Sequence, residues 1–296
     1  MTIEAKIIKD SISIKDQIRV TTFILKYPRF IHAEFMTHRD FSRNASSSRA
    51  IPVKRQIELV LEDPAVPIAF TKNQRGMQGG EILSQKASQS ATHHWLAAMQ
   101  YAVDSATMLE KLEVHKQYAN RILEPFSLIS VVVTATRWSN FFALRHHSAA
   151  QPEIRELARQ MWEIYSSSTP ETILMGEWHL PFVSKEEKLE YFATLGNGVV
   201  GSSNKKHWLP LIKRSVARCA RVSYLNHDGT NPSIEQDEKL YERLLGSAPI
   251  HASPAEHQAT PASSKRVKSG NFHGWIQFRK TLKNECVTEF KGPIDA

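Results

Sequence analysis

Cysteine is nearly absent from this chain, with two residues, Cys219 and Cys286, in 296. They lie far apart and outside any C-x-x-C spacing, so the sequence encodes neither a disulfide scaffold nor a cysteine zinc site. Both are expected to be inert, buried thiols. No stretch approaches the ~20 apolar residues that a membrane span needs, and the opening MTIEAKIIKD lacks an apolar signal core. The expectation is a soluble, cytoplasmic protein without membrane contact. No GxSxG elbow, P-loop or HExxH helix is present, which removes three common catalytic and nucleotide-binding signatures. Acidic residues are in deficit, with 30 Asp and Glu against 38 Lys and Arg, giving a net charge of +8. That balance suits an anionic partner: nucleotide, anionic cofactor or nucleic acid.

What is present is enough apolar material, 41% of residues with 23% charged, for one large folded domain rather than a disordered polymer. Residues 21–26 (TTFILK) read as a strand, and Phe30, Ile31, Phe35 and Met36 then recur at helical spacing over residues 29–37. Residues 40–48 have loop chemistry, and Pro52 suits the first turn of a helix through Ile57, Val60 and Leu61. After a flexible 73–80 loop, a long helix is expected over 81–118, with Leu96, Met99, Val103, Met108 and Leu112 on its apolar face. Residues 128–134 (LISVVVT) are β-branched but join helical segments, so their type stays open. Helices are expected over 138–145, 152–165, 213–224 and 234–245, with a polar connector over 182–205. Residues 248–269 carry no strong pattern, and 271–290 alternate like a strand. The class is α+β, a helix-rich single domain with a small antiparallel sheet.

Three constellations carry chemistry. Residues 38–49 (HRDFSRNASSSR) hold three arginines, four serines and an asparagine. Arginine forks match phosphate oxygens, serines and backbone N–H groups add neutral donors, and the following helix aims its positive end at the same anion. A solvated Ser/Arg linker is the alternative, but a linker is not flanked by two apolar-periodic helices. Residues 138–147 (WSNFFALRHH) place Asn140 and Arg145 in an aromatic setting, suited to a planar ring, although the segment by itself reads first as a core helix whose polar side carries them. Adjacent histidines on a helix point ~100° apart, so His93-His94 and His146-His147 chelate poorly and no metal is expected. Residues 251–257 (HASPAEH) read first as a helix start, with Ser253 as N-cap, Pro254 next and Glu256 closing a capping box.

Taken together these segments resemble the flavin-dependent thymidylate synthases. The family signature RHRxxSxNxxSxR is matched at every fixed position except the first over residues 37–49. Residues 121–125 (RILEP) resemble the family's RxxxP segment, and Asn140 to Arg145 its NFxxLR helix. Two segments similar to the family's amino-terminal ARVS and HxTPxEH runs, residues 213–224 and 251–257, follow the signature here instead of preceding it. The chain therefore reads as one circularly permuted domain over 1–296, with its family-N-terminal equivalents at 211–258, an arrangement tolerated where native termini lie close together.

The resemblance implies a flavin-dependent thymidylate synthase-like fold, a homotetramer, and flavin adenine dinucleotide (FAD) between subunits. It implies transfer of a one-carbon unit from methylenetetrahydrofolate to carbon 5 of dUMP, giving dTMP with NADPH as reductant. By it, His38, Arg39, Asn44, Asn140, Ser253 and Glu256 contact flavin. Glu34, Ser47, Arg49, Arg121 and Arg145 hold the pyrimidine deoxynucleotide monophosphate, and Arg145 and His251 lie at the reacting rings, His251 near the folate. The chain departs from the family at Thr37, Ala45 and Glu34, which replace an arginine, a glutamate and a glutamine. A carboxylate at Glu34 accepts from an exocyclic amine, which raises dCMP hydroxymethylation or methylation as the alternative. A non-catalytic nucleic-acid-binding protein explains the charge but not the three matched segments.

Overall fold

The structure is a computed structural model that describes residues 1–196, 203–222, 230–289 and 292. Its frame is a sheet of β1 (Glu4–Ser13), β2 (Arg19–Pro28), β3 (Ser42–Ala45), β4 (Leu128–Ala135) and β5 (Glu171–Ile173), in the order β3-β4-β2-β1-β5. The pairs are antiparallel except β5, which runs parallel to β1. The segment left open by periodicity is thus a strand. Val131, Val132 and Val133 are fully buried because β4 is covered on both faces, and their branched side chains suit a pleated surface. The sequence reading missed β1. A register shift between Ile7 and Lys9 interrupts its alternation, so neither period is legible. It also read 40–48 as loop throughout, although β3 pairs there with β4.

The helices are interleaved with these strands and continue past them: α1 (His32–Met36), α2 (Val53–Glu62), α3 (Gln85–Lys111), α4 (Lys116–Ala119), α5 (Ser139–Arg145), α6 (Pro152–Ser167), α7 (Lys185–Thr194), α8 (Lys205–Ala220) and α9 (Ile234–Leu245). Among the described residues no helix is long and apolar enough to cross a membrane. The expected long helix over 81–118 is α3, then a break in which Glu113 takes a φ of 57°, then α4. Met99, Ala102, Val103 and Ala106 face the core, whereas Met108 and Leu112 are 54% and 69% exposed. Met108 follows Met99 by nine positions, and at ~100° per residue it lies on the opposite side. The connector over 182–205 contains α7, whose cap Ser184 accepts from the Glu187 N–H at 3.0 Å; residues 197–202 lie outside the described residues. α8 begins at Lys205, earlier than expected, because Pro210 inside it disguises the start. Of the helix expected to reach residue 224, Ser223 and Tyr224 lie outside the described residues.

The patternless 248–269 stretch forms a 3-10 turn, Ser253–Glu256, with β6 (Ala259–Pro261) and β7 (Lys268–Ser269). Ser253 is not the expected N-cap. Ala252 occupies that position, no side chain caps the turn, and Ser253 is its first residue, since the segment makes a single tight turn and no α-helix. The tail is strand-like only at β8 (Phe272–His273) and β9 (Trp275–Gln277), and it continues as a second 3-10 turn, Phe278–Thr281. Phe290, the end of that expectation, lies outside the described residues.

The two sheet faces differ in chemistry. Phe23, Leu25 and Tyr27 of β2 and Val131 and Val133 of β4 pack on Phe35, Phe141, Leu157 and Met161, forming the largest apolar cluster. The opposite face carries Ser11, Thr22, Thr134 and Ser42, all fully buried. Arg218 of α8 reaches Asp237 of α9 at 2.9 Å and Glu187 of α7 at 2.6 Å, so a buried ion network binds these helices together. Cys219 is buried, its thiol pushed up by burial, whereas Cys286 is exposed, contrary to expectation, because the tail carrying it lies on the surface.

Candidate functional site

His38 follows the end of α1, where the Arg43 guanidinium donates to the carbonyls of Met36 at 2.8 Å and His38 at 3.2 Å. That ties off helix carbonyls which otherwise lack partners. The imidazole stacks on Phe41 (5.6 Å, 25°) and meets Phe141 edge-on (4.9 Å, 83°). Arg145, the last residue of α5, donates from Nε to His38 Nε2 at 3.0 Å and from a terminal nitrogen to Thr37 Oγ1 at 3.5 Å. Burial, with the Arg145 and Arg43 charges, holds His38 down at about 4. The ring is therefore neutral near pH 7, with the Nε2 lone pair engaged by Arg145.

Around this pair lies a recess of about 290 Å³ lined by Thr37, His38, Arg39, Asn140, Phe141 and Arg145 among others. A second recess of about 300 Å³ shares Arg39 and Phe41 with it and is completed by Glu256, Asn271, Gln277 and Arg279. Gln277 Nε2 donates to Ser42 Oγ at 3.1 Å, Asn271 Oδ1 at 2.9 Å and the Glu256 carbonyl at 3.2 Å. Arg279 pairs with Glu256. Gly270 shapes this wall: its φ is +60°, and a Cβ there would lie 2.6 Å from Gln277 Oε1.

Asn44 of β3 sits beside the 3-10 turn. Its amide nitrogen faces the Ser253 carbonyl (3.1 Å), the Arg43 carbonyl (3.2 Å) and His257 Nε2 (3.2 Å). The end of the 38–49 loop forms a further group. Ser48 Oγ donates to Glu124 at 2.6 Å, Arg121 and Arg29 reach the same carboxylate at 2.9 and 3.1 Å, and Asn120 donates to the Ser48 and Ile51 carbonyls at 2.7 and 2.9 Å. Ser47 and Arg49 are exposed on this anchored turn. Glu34 of α1 is half-buried, and its Oε2 is buried without a hydrogen-bond partner.

The fold thus joins His38, Arg39, Asn140 and Arg145 around one recess, brings Glu256 into the adjoining one, and sets Asn44 against Ser253. Ser47, Arg49 and Arg121 gather around the Ser48–Glu124 anchor. His251 is not drawn into these groups: it is exposed, and its backbone N–H bonds to the Leu244 carbonyl at 2.8 Å. The sequence reading missed Asn271, Gln277 and Arg279, which lie in a tail without a motif. It also gave no role to His257, whose two neighbours in the run, Glu256 and Ser253, were the visible signal.

A family model described as thymidylate synthase complementing protein matches residues 11–171. Among solved structures, the UMP/dUMP methylase PolB from Streptomyces cacaoi is similar in two forms, bound with 5-Br UMP and with 5-Br dUMP. Each has a TM-score of 0.46 and 18% identity over 56% of this chain, covering 89% and 90% of the respective PolB chains. No curated protein matches the chain.

Proposed function

The chain belongs to the thymidylate synthase complementing protein family of flavin-dependent, methyltransferase-like enzymes, and within it we propose a one-carbon transferase acting on carbon 5 of a pyrimidine deoxynucleotide monophosphate. In this reading methylenetetrahydrofolate is the donor, NADPH the reductant, FAD the cofactor and dUMP the substrate, giving dTMP. The observation that supports it most is the Arg145–His38 hydrogen bond, which joins the 37–49 signature to the Asn140–Arg145 helix around one recess.

The residues present fit a flavin. Two guanidiniums, Arg39 and Arg145, suit its phosphates, while Phe41, Phe141, the neutral His38 and the Asn140 amide suit a planar heterocycle. In the proposal Asn44, Ser253 and Glu256 complete its surroundings. When bound, the reduced flavin supplies hydride for the one-carbon unit. The protein's part is to hold ring planes together and exclude water, and Arg145 keeps His38 oriented as it does so. Arg49 and Arg121, with Ser47, take the nucleotide phosphate at the turn fixed by Glu124 and Asn120. Glu34 faces the base. His251 needs a rearrangement of its segment to approach the folate.

Permutation is part of the proposal: the contact between Asn44 and the 253–257 segment supports residues 211–258 as the equivalent of the family's amino-terminal part. So is a homotetramer. Each recess, about 300 Å³ or less, is small for a dinucleotide, and a second subunit would enlarge it. Tyr101, Met108 and Leu112 lie along the outer side of α3 and are 75%, 54% and 69% exposed.

A second reading has its own observation. The unpartnered buried Oε2 of Glu34 calls for a donor, and the exocyclic amine of dCMP supplies one, as does the ring N–H of dUMP. The test incubates the flavin-loaded protein with methylenetetrahydrofolate, NADPH and each deoxypyrimidine monophosphate and identifies products by mass. Thymidylate from dUMP is expected. Turnover of dCMP alone replaces dUMP by the second reading, and a protein that takes up no flavin ends both.

A further inference from the structure

On the polar face of the sheet, a line of fully buried side chains crosses three strands. Ser11 Oγ lies 2.9 Å from His179 Nδ1, and His179 Nε2 lies 2.8 Å from Thr22 Oγ1. Thr22 Oγ1 is 2.7 Å from Thr134 Oγ1, its direct partner in the β2–β4 register. Thr134 Oγ1 is 2.8 Å from His257 Nδ1, and His257 Nε2 meets the Asn44 amide at 3.2 Å. Each interior member can both give and take a hydrogen bond, so geometry alone allows the line to run in either direction.

The Asn44 end removes that freedom. Besides His257 Nε2, the inward side of its amide faces two backbone carbonyls, Ser253 and Arg43, which only accept. The nitrogen must occupy that side, because the oxygen there would leave two carbonyls facing an acceptor. His257 Nε2 is then a lone pair. Burial holds this imidazole down at about 3, so it is neutral and its single proton sits on Nδ1. That N–H donates to Thr134, the Thr134 hydroxyl donates to Thr22, Thr22 donates to His179 Nε2, and His179 Nδ1–H donates to Ser11. Running the whole line the other way puts the proton on His257 Nε2 and turns the Asn44 amide over, at the loss of both carbonyl bonds.

We propose that Ser11, His179, Thr22, Thr134 and His257 form a one-directional relay of positioning residues, its direction set at the Asn44 end, that adds His257 Nε2 to the two carbonyls holding the Asn44 nitrogen inward. The carbonyl oxygen is then turned outward as a fixed acceptor for an N–H donor on a planar ligand. That the ligand is a flavin rests on the function proposed above; the proton positions do not.

The test reads tautomers directly, by solid-state 15N spectra of histidine-labelled protein, with His257→Gln and His179→Gln used to assign the signals. Nδ1–H is expected for both rings in the unmodified protein. Thr134→Val removes the acceptor of the His257 Nδ1–H while keeping the shape. The Ser253 and Arg43 carbonyls still hold Nε2 as an acceptor, so the proton should stay on Nδ1 and its 15N signal should move as that N–H loses its partner. Flavin binding should weaken by up to about tenfold, the value of one hydrogen bond. Thr134→Ser should restore both. An Nε2–H tautomer in the unmodified protein overturns the relay, and that result needs no variant to fold. A His257 proton that moves to Nε2 in Thr134→Val overturns it too, since Asn44 then does not set the direction, and a displaced Nδ1 signal with unaltered flavin affinity removes its positioning role. A protein with Nδ1–H rings that binds no flavin sinks the proposed function and leaves the relay standing.

Discussion

Arg145 Nε donates to His38 Nε2 at 3.0 Å across 107 positions of sequence, and this bond brings the end of α5 against the start of the 38–49 loop. The charge that fixes the histidine's orientation also keeps it unprotonated, since Arg145 is second only to burial among the causes that lower it.

Arg145→Ala should therefore raise the His38 pKa from about 4 toward its ordinary 6.5, stopping short because burial and Arg43 remain. Titration of the His38 ring signals by NMR measures this directly. A pKa that stays put would mean that burial and Arg43 neutralise the ring without Arg145.

Arg49→Ala should weaken binding of a deoxynucleotide monophosphate by about ten- to a hundredfold, the loss of one charge-assisted phosphate contact. Arg49 is exposed, so the fold should keep its stability within ~0.5 kcal/mol. Calorimetric titration alongside urea unfolding separates the two effects.

Asp237→Ala leaves Arg218 and Arg221 facing an apolar gap where the carboxylate was fully buried. Removing one partner of a buried pair costs about 3–5 kcal/mol, and the lower end is expected because Glu187 still holds Arg218. The urea midpoint should fall without a change in slope.

Acid should destabilise the protein before most carboxylates titrate. His257 and His38 are held at about 3 and about 4 against an ordinary 6.5, so in that interval the unfolded chain binds more protons than the folded one. Stability then rises with pH and is lost as pH falls below the unfolded value, at up to ~1.4 kcal/mol per unit for His257. Glu171 acts lower: burial opposes its ionisation, but bonds from Lys188 and Lys9 prevail and hold it near 2, a contribution lost as pH falls through that value. Urea unfolding of the unmodified protein and His257→Gln at a series of pH values should show a flatter profile for the variant.

Met108→Glu places a charge on the outer, apolar side of α3, where Tyr101 and Leu112 are also exposed. If subunits meet there, light scattering should report a smaller assembly while helical content stays the same. An unchanged mass removes this side of α3 from the interface.

Much of the fold was legible because hydrophobic periodicity reports one element at a time. Residues 138–145 and 152–165 stood out as helices, and α5 and α6 occupy them within a residue or two at their ends. Periodicity is illegible where it is interrupted: at the β1 register shift, at Pro210 in α8, and on α3, where apolar residues at mixed spacings fall on both sides. At the site, residues 38–49 advertised themselves by composition. Gln277 and Asn271 did not, since an isolated amide in a tail has no signature until the fold sets it against Ser42.

By itself the sequence determined which chemical groups the protein has and their local spacing: the Arg/Ser/Asn loop, the Asn140–Arg145 pair and the HASPAEH run, and with them the family. Only the tertiary structure decided what each group faces. Arg145 meets His38, Asn44 meets His257 across 213 positions, and Thr22 meets Thr134 across 112. Periodicity specifies that a side of a strand is buried but not which distant segment covers it; sheet register makes that choice, and a slip of one residue would turn Thr22 and Thr134 to the opposite face and break the line to Asn44.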